Sequence, residues 1–287
     1  MSNEFSLIDF KALSEPITKL IESVSKGIGS FYEPIGKIRN AKADVKIAKL
    51  LAKAEVAKSV EERASLRVEH KEVRRQENID AIVIGAIELL PDEVSKVAVD
   101  EDWIVQFFDL GQDVGNSEMQ KIWSKLLAGE VSLPNSFSPR TLQAVKFLTA
   151  DDANAFTLLC SFSFQEAGGD WIFPASIFSH ECFEYIRAKG LSAIDENHLK
   201  SIGLLSTAEI WYRPPDDGAI ELSYYSEDYF LNFDEDEKGV DAYLEAYTFT
   251  AIGKELATIA GGVPDKEFIK MMIDSGVLVP FPIEKNG

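Results

Sequence analysis

Met119-Gln-Lys-Ile-Trp-Ser-Lys-Leu-Leu-Ala-Gly-Glu130 and, three residues on, Pro134-Asn-Ser-Phe-Ser-Pro-Arg-Thr-Leu142 are the most definite stretch of this 287-residue chain. Ser117-Glu-Met-Gln120 at its head has the form of a capping box. Ile122, Trp123, Leu126 and Leu127 then recur at helical spacing, and Gly129 is a natural C-terminal stop. Ser138-Pro139 caps and starts a second helix with Leu142, Val145 and Leu148 inward. The stretch carries two aromatic residues available to fix the pair. Trp103, Trp123, Leu126, Gly129, Glu130 and Arg140 therefore read as structural positions, not as a catalytic site. Arg140 is the one that packing does not demand. It lies in a first helical turn, where a positive charge is mildly unfavourable, which predicts a bond to Glu130 or another carboxylate across the turn.

Working outward, helices dominate on both sides. Asp100-Glu-Asp-Trp103 caps a helix whose apolar face is Trp103, Ile104, Phe107 and Phe108. Thr149-Ala-Asp-Asp152 starts another through Phe156, Leu159 and Cys160. These short helices predict a compact helical domain over residues 96–167.

The N-terminal side, residues 1–95, reads as a helical arm. Ser14-Glu-Pro16 is a helix start, and Ile17, Leu20, Ile21, Val24, Ile28 and Phe31 recur on one face. That face suits either packing on its own domain or lying on a membrane or in a partner's groove. Next comes an Ala/Lys/Leu/Glu-rich helix with a basic stripe of Lys42, Lys46, Lys49 and Lys53. Ser59-Val-Glu-Glu62 is a capping box that opens a further helix through Arg74 and Arg75 to Leu90, closed by Pro91. Residues 35–75 hold twelve Lys and Arg against six Asp and Glu. The stripe with Arg74 and Arg75 is a candidate surface for lipid or RNA phosphate, although no aromatic residue interleaves it for base stacking.

After Gly168-Gly169 the texture becomes mixed, and residues 168–287 read as an acidic α+β module. Glu209–Arg213 and Ala219–Tyr225 flank Pro214-Pro-Asp-Asp-Gly218, which predicts a hairpin. Trp171–Pro174, Tyr247–Thr250 and Val277–Phe281 are further extended runs, and 182–187, 195–202, 251–259 and 266–273 are helical. Residues 195–257, with Gly203-Leu-Leu205 and Thr250-Ala-Ile-Gly-Lys-Glu-Leu256, resemble the helix-wing-helix end of winged-helix domains. Such domains grip DNA with bases. Here residues 151–247 carry twenty acids against five bases, so the resemblance implies a protein-contact variant.

The whole chain is acidic, with 48 Asp and Glu against 29 Lys and Arg for a net charge of −19, which disfavours generic nucleic-acid binding. Two cysteines, Cys160 and Cys182, fit a reducing compartment. The first residues lack the pattern of a signal peptide, so a cytoplasmic location, at most peripheral to the inner membrane, is expected. His180-Glu-Cys182 lacks a second ligand pair for zinc, and no phosphate loop, calcium loop or nucleophile constellation stands out. No catalytic, cofactor or metal site is expected.

Trp123-Ser-Lys-Leu-Leu-Ala-Gly-Glu130 and Pro134–Leu142, together with Ser25-Lys-Gly-Ile-Gly29, Tyr32-Glu-Pro34, Arg74-Arg-Gln-Glu-Asn78 and Glu101-Asp-Trp103, resemble an uncharacterised bacterial domain-of-unknown-function family over most of the chain. The helical core is also loosely similar to alpha-type abortive-infection proteins, a resemblance that implies phage defence. The expected fold is mainly α with a C-terminal α+β module. The expected function is a non-enzymatic interaction or oligomerisation protein with a protein partner or further copies of itself. A membrane-acting effector using the 16–35 face and a nucleic-acid-binding regulator using the basic arm are the alternatives.

Overall fold

The computed structural model describes residues 14–30, 32, 59–166, 168–212, 220–232 and 244–281, without the side chains of 209–212, 244 and 245. Packing divides the chain into two compact units, Met1–Phe147 and Leu148–Gly287. This differs from the division expected at 95 and 167. The described part of the arm packs with the central helices as one unit, and the helix after Thr149 belongs to the second.

In the first unit, α1 spans Glu15–Gly27, α2 Val60–Leu89, α3 Glu101–Gly111, α4 Ser117–Ser132 and α5 Pro139–Phe147. The caps are local and follow the sequence. Ser59 and Glu62 form a reciprocal capping box, and the Asp100 carboxylate accepts the Trp103 N–H. At α4 the cap falls one residue earlier than expected, because Asn116 accepts from both Glu118 and Met119. The core is aromatic: Trp103 stacks on Phe107 at 5.3 Å between ring centres, and Phe107 meets Trp123 edge-on at 5.1 Å. Helices α2 and α4 approach so closely that a Cβ at Gly85 would lie 2.5 Å from Ser124 Oγ. That hydroxyl instead donates across the contact to the Ile82 carbonyl at 2.9 Å.

The second unit is α+β. After α6 (Ala150–Ser161) come β1 (Phe164–Glu166), β2 (Trp171–Phe173), a 3₁₀ turn, α7 (His180–Ala188) and α8 (Ala193–Ser201). β3 (Leu205–Tyr212), β4 (Ile220–Tyr224), β5 (Glu227–Leu231) and β6 (Leu244–Phe249) follow, then α9 (Ala251–Ala260), α10 (Lys266–Asp274) and β7 (Leu278–Pro280). Among the described residues the strands form one antiparallel sheet in the order β3-β6-β2-β1-β4-β5-β7. Phe162, Phe178 and Tyr224 surround Phe268 in the core beneath it.

The hairpin expected between 209–213 and 219–225 does not form. β3 pairs with β6, whereas β4 pairs with β5 through the two-residue turn Tyr225-Ser226, which puts Tyr224 opposite Glu227. The Pro/Asp/Gly-rich stretch itself lies outside the described residues, and which strands pair is decided by long-range packing.

Candidate functional site

The second unit holds a cleft of about 460 Å³ between the β4–β5 turn and α10. Its walls come from Tyr224, Tyr225 and Tyr229 on the strand side and from Ile269 and Ile273 on the helix side. Lys266, Ile269, Lys270 and Ile273 share one face of α10 because they are spaced three and four apart. The size and the apolar lining with a few polar groups are those of small-molecule sites.

The turn is built against local preference. Tyr225 has φ 56°, a left-handed conformation that non-glycine residues rarely adopt. Two contacts hold it there: its hydroxyl donates to the Cys160 carbonyl at 3.3 Å, and its ring meets Tyr224 edge-on at 5.0 Å. Gly262 leaves the room, since a Cβ there would lie 2.8 Å from the Tyr225 hydroxyl. Strain of this kind is retained where surrounding structure over-determines it.

Each phenol has a hydrogen-bond partner. Tyr224 donates to the Ser161 carbonyl at 2.6 Å and accepts the Asp265 N–H at 2.7 Å. Tyr229 donates to Glu227 at 2.5 Å. Burial pushes the Tyr225 hydroxyl up to about 12, and burial first raises Tyr224 and Tyr229 as well. The three rings are therefore neutral at physiological pH and act as walls and donors, not as bases. At the start of α10, Asp265 caps the helix through the Glu267 and Phe268 N–H groups. Burial opposes its charge, but those bonds with Tyr185 and Lys189 outweigh it and hold its carboxyl below the usual range.

Arg187, Lys189, Lys200 and Lys254 each lie against a carboxylate. Lys266 and Lys270 at the cleft do not, among the described residues. The aromatic cleft went unnoticed in the sequence. The clue was the density of tyrosine in Ser223-Tyr-Tyr-Ser-Glu-Asp-Tyr229 beside a helix with paired lysines.

The positions singled out from sequence lie elsewhere. Leu20, Ile21 and Val24 are buried within the first unit, so the α1 face is not free for a membrane or partner; Ile17 and Ile28 are half-buried. Phe31, Lys42, Lys46, Lys49 and Lys53 lie outside the described residues. Arg75 is engaged in a bidentate pair with Asp113, both bonds 2.9 Å, and also reaches Glu72. Arg74 is half-exposed and 3.7 Å from the same aspartate. Arg75 is thus turned to a protein carboxylate, while Arg74 stays half-exposed.

The signature stretch holds a loop together. Glu130, only 1% exposed, accepts the Asn135 N–H at 2.7 Å and the Phe137 N–H at 3.1 Å. Trp103 Nε1 donates to the Phe137 carbonyl at 2.7 Å. Gly129 does not stop the helix, which runs on to Ser132. Its role is contact, since a Cβ there would lie 2.7 Å from the Phe137 ring. Trp123 and Leu126 are fully buried. The expected Arg140 bond is absent: Arg140 is exposed and has no ion pair among the described residues. Backbone N–H groups supply what Glu130 needs, and the cation near it is Lys19 of α1.

Groups with nucleophilic potential are likewise engaged. Cys160 is buried, and burial pushes its thiol up, opposite to what a nucleophile needs. Cys182 lies 3.7 Å from Met272 Sδ, and His198 pairs with Asp152 at 2.7 Å. Among the described residues no group of three His, Cys, Asp or Glu is placed to hold a metal. No described helix is long and apolar enough to cross a membrane.

No curated protein and no solved structure matches the chain. A family of proteins of unknown function, DUF2806, matches residues 62–273, most of the first unit's helices and nearly all of the second unit, and the chain belongs to that family.

Proposed function

We propose that the protein works by binding a protein partner or further copies of itself, through a second unit of winged-helix type that has lost the means to grip DNA. The chain order supports the winged-helix reading: helix α6, strand β2, helices α7 and α8, strands β3 and β6, helix α9, with β3, β6 and β2 adjacent. β4 and β5 then stand as an insertion where the turn of a wing would lie. On this reading α8 occupies the place of the recognition helix.

The observation that carries the proposal is the state of Lys200 on α8. Its ammonium pairs with Glu196 at 2.5 Å and sits over the Tyr247 ring at 3.2 Å from the centre. It is not available to a phosphate. The rest of α8 offers Asp195 and Glu196, the His198–Asp152 pair and Ile194, which is 80% exposed. An apolar residue rimmed by acid suits a protein surface and repels a nucleic-acid backbone.

Native mass measurement at micromolar concentration tests the reading. A species above the 31.9 kDa monomer that returns to monomer in Ile194→Glu is expected for self-association. A wild-type monomer leaves the hetero-partner form, tested by loss of a co-purifying protein in the same variant. Random-sequence duplex DNA at low salt should not bind the wild type, whereas Asp195→Lys with Glu196→Lys should create salt-dependent binding. Salt-dependent binding by the wild type would overturn the proposal.

A further inference from the structure

We infer that the tyrosine-lined cleft is a binding site for a small aromatic anion, a flat ring bearing a phosphate or carboxylate group. This site lies apart from the α8 surface and does not depend on it.

The ring end is set by the walls. Tyr224, Tyr225 and Tyr229 enclose one side, Ile269, Ile273 and Pro264 the other. The hydroxyls of Tyr224, Tyr225 and Tyr229 already have partners at 2.6, 3.3 and 2.5 Å, so the rings can meet an apolar surface without leaving polar atoms unpaired. Tyr224 and Tyr229 are buried and form the floor, and the part-exposed ring of Tyr225 is the one on which a planar ligand can stack. Tyr225 is held at φ 56° to form this wall, in a turn position where glycine would carry no strain.

The anion end is set by Lys266 and Lys270, one helical turn apart on the face that lines the cleft. The other described Lys and Arg of the second unit, Arg187, Lys189, Lys200 and Lys254, each lie against a carboxylate. These two are not, among the described residues. Glu227, the acid that lines the cleft, is engaged by the Tyr229 hydroxyl. It offsets one lysine, which leaves the lining with a net positive charge. A cavity of about 460 Å³ accommodates one ring system with its charged group.

The test uses the full-length protein and a pair of fluorescent probes of similar shape: anilinonaphthalene sulfonate, which carries the anion, and N-phenyl-naphthylamine, which lacks it. The expected result is saturable one-to-one binding of the sulfonate, weakened at least tenfold in Lys266→Glu/Lys270→Glu and retained in Lys266→Arg/Lys270→Arg. The neutral probe should bind more weakly and be indifferent to both double variants. Both variants alter exposed side chains, and an unchanged unfolding midpoint certifies that they fold. Competition then separates the sources of the anion: displacement by phenyl phosphate points to a phosphorylated ligand, displacement by benzoate to a carboxylate. Displacement by neither, equal binding of the two probes, or indifference of the sulfonate to charge reversal would each overturn the inference.

Discussion

Lys19 in the first unit and the pair Lys266 and Lys270 in the second carry the same charge and are put to opposite uses. Lys19 donates to the carbonyls of Ser95 and Val131, both at 2.7 Å, and burial lowers its pKa against the pull of Glu130. It joins α1 to α4 and to the segment before α3. Lys266 and Lys270 hold nothing together among the described residues and border a cleft. The same contrast separates the two regions at large. Glu130, Gly129 and Trp103 are each engaged by the loop at Asn135–Phe137. Around Tyr225 the phenols have partners, while two lysines and part of the Tyr225 ring stay exposed. A strong sequence signature here marks a demanding piece of architecture, and the available chemistry sits where the sequence is least conspicuous.

The first half of that contrast breaks if the Glu130 region proves dispensable. Glu130→Ala leaves the buried N–H groups of Asn135 and Phe137 without this acceptor and Lys19 without its neighbouring charge, which should cost roughly 3–5 kcal/mol. Urea unfolding measures this, and a loss below about 1 kcal/mol would show that the loop is held by other means. Gly129→Ala comes next. Its methyl must displace the Phe137 ring, at a cost of about 1–3 kcal/mol by overpacking. An unchanged midpoint would mean that the loop yields freely.

A smaller effect concerns the Arg75–Asp113 pair, which ties α2 to the α3–α4 connection. The hydrogen bond from Arg75 is the leading cause that holds the Asp113 carboxyl below its ordinary value. A carboxylate with a depressed folded pKa contributes stability above its unfolded pKa and loses it as pH falls through the folded value. Arg75→Ala should therefore destabilise by about 1 kcal/mol or less at neutral pH, given partial solvent screening. The difference from wild type should shrink once the pH drops below the usual carboxylate range. A difference that persists unchanged into acid would assign the loss to packing of the arginine stem.

What was legible in the sequence divides along physical lines. The caps at Ser59, Asp100 and Thr149 follow the sequence because a capping bond joins residues three apart and needs nothing else from the fold. Gly129 was misread because a glycine near a helix end fits two local roles, and only the position of Phe137 decides between them. The pairing of β3 with β6, and not with β4, joins strands separated by more than thirty residues, and no turn signal encodes that. The cleft was invisible for a related reason. Its two walls, 224–229 and 264–273, are each ordinary, and its sharpest local feature, a tyrosine at positive φ, runs against the preference a sequence reading relies on.

The smallest expected effect is also the one that bears most on the second half of the contrast. Lys266→Ala/Lys270→Ala removes two exposed side chains that have no acidic partner among the described residues, so no ion pair is lost. The one unfavourable consequence is electrostatic: the net charge moves from −19 to −21, and a more negative chain repels itself slightly more. Salt screens that repulsion over a Debye length of about 8 Å at physiological ionic strength. The double variant should thus unfold within about 0.5 kcal/mol of wild type in 0.15 M salt, with a slightly larger loss at low salt. A loss above about 1 kcal/mol that salt does not relieve would mean that the two lysines support the fold as Lys19 does. The distinction between a lysine that builds and a lysine that waits for a ligand would then fail at its most exposed point.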